Sequence, residues 1–296
     1  MIIQVRDLVK RYGDVVAVDG LSFEVGHGEI FGLLGPNGAG KTTTIRVIMD
    51  ILDPDGGSVT VLGQPPGRAK ESVGYLPEER GLYRNLKVLD TLVYLAELKG
   101  VARRQAQERA MKLLERIQLE DWGTRKVRDL SQGMQQRLQF AATLIHDPEV
   151  LFLDEPFQGL DPVNAERIKN FIANLQQEGK TIVLSTHQMN RVEALCNRIL
   201  LINRGQAVLY GPLAEIKQDY APNAVRVRAP QIPPDLPGVV EMEPDDGAFN
   251  LALAEGAYPQ EVLRAMLDRG VEVQAFEVAP VPLEDIFVAA VGGTEE

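Results

Sequence analysis

Nine consecutive residues, Gly35-Pro36-Asn37-Gly38-Ala39-Gly40-Lys41-Thr42-Thr43, constrain this chain more than any other stretch. They match a glycine, four residues, then Gly-Lys-Thr, the pattern of a loop whose backbone N–H groups turn inward around phosphate oxygens. The flanks agree with the motif. Ile30 to Leu34 is a short apolar run, as a buried strand would be, and Ile45, Ile48 and Leu52 follow at helical spacing. The helix start adds the positive end of its dipole. Lys41 is expected to neutralise β- and γ-phosphates, and the Thr42 hydroxyl to ligate Mg²⁺. The loop by itself implies a nucleoside triphosphate and no particular use for it.

A second element narrows the chemistry. Val150-Leu-Phe-Leu153 is an unalternating apolar run that ends in Asp154-Glu155-Pro156. Such a run needs burial on both faces, which leaves the two acids at the carboxyl edge of a sheet, where ligands bind in open α/β folds. Asp154 is expected to hold Mg²⁺, directly or through water. Glu155 is expected to act as general base on the attacking water.

Between these elements lies Leu130-Ser-Gln-Gly-Met-Gln-Gln-Arg137. It resembles the signature sequence of ABC ATPases, usually written LSGGQ. The order and spacing are also similar: phosphate loop, inserted helices, signature, Asp-Glu strand. Gly159-Leu-Asp-Pro162 looks like the family's D-loop and Ser185-Thr-His187 like its switch histidine. Tyr12 is placed like the aromatic residue that stacks on adenine. The resemblance covers about residues 1–215.

It implies a P-loop NTPase sheet domain with an inserted α-helical subdomain near residues 86–145, binding ATP and Mg²⁺ and hydrolysing ATP. It also implies a head-to-tail pair of ATPase subunits, in which Ser131 and Gly133 face the γ-phosphate bound by the other subunit, with Asp161 close by. His187 is implied as the γ-phosphate sensor. More local readings stand beside these roles. Ser131 can cap the helix that follows it. Asp161 can cap the helix opened by Pro162, and Tyr12 can pack in a turn. Two departures are visible. Gln132 and Met134 replace the usual Gly and Gln, and Glu78, in Gly74-Tyr-Leu-Pro-Glu78, stands where a Gln that touches Mg²⁺ is usual. A carboxylate can ligate metal but cannot donate as an amide does; a solvated loop acid is the other reading.

The remaining features concern organisation and partners. Sixteen acidic and five basic residues between Gly211 and Glu296 account for the whole net charge of −11. That break suggests a boundary, with an ATPase domain at 1–215 and a small acidic α+β domain at 216–296. In the tail, Ala224–Arg228, Phe249–Leu253 and Val271–Val278 read as strands, and Gln260–Arg269 and Leu283–Val291 as helices. An acidic balance disfavours nucleic acid as a partner.

No apolar run is long enough to span a bilayer and the N-terminus lacks a signal peptide's apolar centre, so a cytosolic chain is expected. Cys196, the single cysteine, excludes an internal disulfide and suits a buried apolar role. Gly74–Tyr83 and Pro282–Val288 resemble a subgroup of ABC exporters with an extra C-terminal domain. That resemblance implies a separate transmembrane permease and a peripheral position on the cytoplasmic side of the membrane. The permease's helix would rest in a groove near Glu78 and Arg80. The other class open to such a chain is a soluble ABC ATPase of translation or DNA maintenance, but one phosphate loop and no long heptad run set this chain apart from those.

Overall fold

The computed structural model describes residues 1–79, 81–221, 223–245, 247–254, 256–279 and 281–292. Arg80 lies outside them. The chain divides into two compact units, Met1–Pro212 and Leu213–Glu296.

The first unit opens with β1 (Ile3–Tyr12) and β2 (Val15–Val25), an antiparallel pair, followed by β3 (Ile30–Leu34) and α1 (Lys41–Ile48). Next come β4 (Gly56–Val61), β5 (Val73–Leu76), α2 (Val88–Leu98), α3 (Arg103–Arg116) and α4 (Gln132–Leu144). The unit ends with β6 (Val150–Asp154), α5 (Pro162–Gln177), β7 (Thr181–Thr186), α6 (Met189–Glu193), β8 (Arg198–Asn203) and β9 (Gln206–Pro212). A six-stranded sheet runs β5-β6-β7-β3-β8-β9, parallel except for the β8–β9 pair. A smaller antiparallel sheet runs β2-β1-β4.

Every residue of β3, β6 and β7 is buried. This is why β3, and β6 as far as Leu153, read as unbroken apolar runs instead of alternating ones, and why Ile182 to Leu184 do the same within β7. Their register decides where the chemistry falls. Leu34 pairs with Thr186, and Asp154 with Ser185. The phosphate loop, the two acids and His187 therefore leave the sheet side by side at one carboxyl edge.

Helices α2, α3 and α4 pack on a core of their own, including Leu92, Ala106, Ala110, Leu114, Leu138 and Ile145. The buried face of α3 is Ala106, Ala110 and Leu114, four residues apart, so two small side chains and one leucine lie on its packed face. Helix α4 also covers the edge strand β5. The Thr143 hydroxyl lies 3.4 Å from the Tyr75 carbonyl and His146 Nε2 lies 3.0 Å from that of Val73. Carbonyls on one side of an edge strand are thus satisfied by side chains one helical turn apart.

The second unit contains α7 (Leu213–Asp219), β10 (Ala224–Arg228), β11 (Val239–Asp245), β12 (Ala248–Leu253), α8 (Pro259–Asp268), β13 (Ala275–Val278) and α9 (Leu283–Gly292). Its antiparallel sheet runs β11-β12-β10-β13 over a core of Val225, Val227, Leu251, Val262 and Met266. Pro244 sits in β11, an edge strand, where a missing N–H is tolerated.

β1 continues to Tyr12 past a register shift after Val5, with Asp7 at φ 47°, which interrupts its alternation. The strand expected at Val271–Val278 begins only at Ala275. Cys196 is buried, and burial raises its thiol pKa, as for a small apolar residue. Among the described residues no helix is long and apolar enough to cross a membrane.

Candidate phosphate-binding site

The loop after β3 is built on glycines for a physical reason. Gly35 has φ 145° and Gly40 φ 109°, values L side chains rarely adopt. A Cβ on Gly35 would lie 2.1 Å from the Ile202 carbonyl oxygen, and one on Gly40 would lie 2.4 Å from that of Ala17. The loop is wedged between β8 and β2, and only bare backbone fits. With Ala17, Glu78 and Glu155, residues 37–43 line a cavity of about 320 Å³.

Lys41 opens α1 and folds back on the loop. Its Nζ donates to the carbonyls of Gly35 (2.8 Å) and Pro36 (3.1 Å) and lies 3.7 Å from Glu155 Oε1. Burial lowers the Lys41 pKa, and the charges of Glu155, Asp154 and Glu78, in that order, pull it back up. An ammonium held this way gains from any further anion brought into the cavity.

The two acids at the end of β6 have separate partners. The Thr42 hydroxyl donates to Asp154 Oδ1 at 3.2 Å, the Ser185 hydroxyl donates to the same oxygen, and Tyr75 OH lies 3.5 Å from Oδ2. Burial first and then the Asp154 charge raise the Tyr75 pKa. Glu155 sits in a left-handed conformation, φ 46°. A non-glycine residue there is strained by about 1–3 kcal/mol and persists where its surroundings over-determine it. Those surroundings are present. Its backbone N–H donates to the Ser185 carbonyl (3.0 Å), Thr186 Oγ1 donates to Oε2 (3.1 Å), and His187 Nδ1 lies 2.9 Å from Oε1. The strand end is bent so that Glu155 faces the Lys41 loop and not the sheet.

Not every expected residue joins this cluster. Tyr12 is outside the cavity lining, exposed at the end of β1, with Lys10 Nζ 5.9 Å from its ring centre. Ser131 caps α4, its Oγ accepting from the Met134 N–H at 3.3 Å. Asp161 caps α5, accepting from the Asn164 N–H at 3.0 Å, a bond that depresses its carboxyl pKa. A Cβ on Gly133 would lie 2.9 Å from the Asn164 amide, so the starts of α4 and α5 touch. None of these three lines the cavity.

The sequence reading missed two buried amides on α4. Gln139 Nε2 donates to the carbonyls of Pro77 (3.3 Å) and Glu79 (3.2 Å), on either side of Glu78. Gln136 Nε2 donates to the Pro156 carbonyl at 3.2 Å, directly after the Asp-Glu pair. Glutamines on an otherwise apolar helix face were the available signal.

Comparison with known proteins agrees with this geometry. Residues 18–158 match the family described as "ABC transporter", and residues 211–291 match "ATP-binding protein DrrA1-3-like, C-terminal domain". The uncharacterized ABC transporter ATP-binding protein YhaQ of Bacillus subtilis is 39% identical over 98% of this chain and 98% of its own. Nod factor export ATP-binding protein I of Cupriavidus metallidurans is 42% identical over 73% of this chain and 72% of its own. A solved ATP-binding subunit of an ABC transporter, 28% identical, superposes with TM-score 0.68 over 74% of this chain and 93% of that one. This chain belongs to the family of ABC transporter ATP-binding proteins.

Proposed function

We propose that the chain binds ATP in the loop cavity, hydrolyses it, and drives a separate export permease as one of a head-to-tail pair of ATPase subunits. The observation that carries the hydrolytic reading is the Lys41–Glu155–His187 arrangement at the end of β6. Loop residues Gly35 to Thr43 cradle the phosphates, and Lys41 exchanges its contacts with Gly35 and Pro36 for phosphate oxygens. Glu155 accepts a proton from the attacking water, while Thr186 and His187 fix its two oxygens. Tyr12 offers an exposed ring for adenine.

The donor set fits Mg²⁺, a hard cation that takes oxygen ligands. The Thr42 hydroxyl and the Asp154 carboxylate converge within 3.2 Å, and Glu78 lines the same cavity. Among the described residues no three His, Cys, Asp or Glu side chains group to hold a metal. Thr42 and Asp154 would hold the ion, and substrate phosphates would supply further oxygens. When bound, it neutralises charge on those phosphates.

The pairing proposal rests on Ser131, Gly133 and Asp161, which stand at helix starts and outside their own chain's cavity. The export proposal rests on the Nod factor export relative and on the DrrA-like C-terminal match. A groove of about 380 Å³ between α2, α4 and β5, lined by Tyr75, Pro77, Leu82, Leu95 and Leu98, is the seat we assign to the permease's cytoplasmic helix. The chain would thereby be held at the cytoplasmic face of the membrane. Mild detergent extraction of cells carrying tagged chain should recover a multi-span membrane protein with it. Recovery with ribosomes or DNA alone would overturn the transport reading. Mg²⁺-dependent phosphate release by purified chain tests the hydrolytic one separately.

A further inference from the structure

A second cavity, of about 270 Å³, opens in the first unit where the end of α3 meets the middle of α4 and α5. Three arginines line it, Arg116, Arg137 and Arg167, and none of the lining residues is acidic. Arg116 is already engaged: its guanidinium makes two bonds to Glu178, at 2.6 and 3.1 Å, and stacks 4.9 Å over Phe171. The other two are different. Arg137 donates from Nη1 to the Ile117 carbonyl at 2.6 Å, but its Nε is buried without a hydrogen-bond partner. Among the described residues, no ion pair joins Arg137 or Arg167 to a carboxylate.

A buried donor without a partner costs about 1–3 kcal/mol, and more on a charged group. Burial first and the Arg167 charge second lower the Arg137 pKa, opposed by Glu120. Two cations thus repel each other across a pocket that contains no acid. Two aromatic rings belong to the lining: Phe140 and Phe171 meet edge to face, ring centres 5.9 Å apart.

We propose that this cavity is a second ligand site, for a small organic anion that carries a carboxylate or phosphate on a flat apolar body. The anionic group would accept from the cavity-facing ends of the Arg137 and Arg167 guanidinium groups, whose planar forks suit carboxylate and phosphate oxygens. The body would lie along Phe171, with the amides of Asn170 and Asn174 at the rim. A bound anion would offset the repulsion between the two arginines, which no acid of the lining relieves.

The test is calorimetric titration of the full chain with phenyl phosphate and with inorganic phosphate, each with and without saturating ADP. One equivalent of phenyl phosphate should bind at least tenfold tighter than inorganic phosphate, and ADP should not displace it. Arg167→Glu should weaken that binding at least tenfold and leave ADP affinity unchanged. Arg167→Lys, which keeps the charge and loses the fork, should fall between. The Arg137 Nε–H resonance should shift on saturation of the wild type. Arg167 is exposed on α5, so these variants leave the core intact. No heat of binding, displacement by ADP, or equal affinity in Arg167→Glu would each overturn the proposal.

Discussion

Within the first unit, two groups of residues to which we assign phosphate contacts stand in opposite surroundings. Lys41, Asp154 and Glu155 are 6%, 1% and 6% exposed and are tied to one another and to Ser185, Thr186 and His187. Ser131 and Asp161 stand exposed at helix starts, where each caps its own helix. A buried charge cannot lose a partner cheaply, so the first group holds a single arrangement. The second group is solvated and loses little by changing partners. The proposed roles follow that difference, chemistry for the inner group and a closing surface for the outer one.

The largest expected effect tests the inner group. Glu155→Gln removes the carboxylate held by Thr186 and His187, and phosphate release should fall by about 10²–10⁴-fold. ATP affinity should persist, and a nucleotide-bound pair should accumulate, seen by size-exclusion chromatography. Unaltered steady-state turnover would take the base role away from Glu155. Gly40→Ala acts on the frame instead. Its Cβ meets the Ala17 carbonyl at φ 109°, so unfolding in urea should show a loss of about 1–3 kcal/mol together with lost nucleotide binding. Unchanged stability would mean that the loop can shift away from β2.

Ser131→Ala tests the outer group. Loss of the cap should cost about 1 kcal/mol. Nucleotide affinity of the single chain should stay the same while turnover falls. A drop in single-chain affinity would erase the distinction between the groups.

The smallest effect concerns acid. Asp161 has its carboxyl pKa depressed by the Asn164 N–H, so its charged form carries the cap. That contribution is present above the ordinary aspartate range and is lost as pH falls through the lowered folded value. Asp161→Asn keeps an acceptor and removes the titration, so its melting temperature should respond less to acid than that of the wild type.

The parts of the fold that read directly from sequence were those with strict local rules. The phosphate loop was legible because Gly35 and Gly40 occupy backbone conformations open to glycine. Strands β3 and β6 were legible because burial on both faces leaves Ile30–Leu34 and Val150–Leu153 without a polar residue. The full length of β1 does not show in the sequence because its bulge breaks the alternation on which strand reading depends. β4, with Gly56 and Gly57, carries too few side chains to show a pattern. Gln139 could not be assigned a role because its acceptor, the Pro77 carbonyl, is sixty-two residues away and carries no side-chain identity.

The sequence alone therefore determined the chemistry on offer: a glycine loop with Lys41 and Thr42, a buried strand ending in Asp154 and Glu155, a capped helix at Ser131, and an acidic tail. These follow from covalent spacing and local propensity. Only the tertiary structure decided which groups meet. The parallel register of β3, β6 and β7 set Glu155 beside Lys41 and His187. Packing of α3, α4 and α5 left Arg137 and Arg167 facing an acid-free cavity. Both outcomes depend on contacts between distant segments, whose geometry is set when the sheet and its helices bury their apolar faces together.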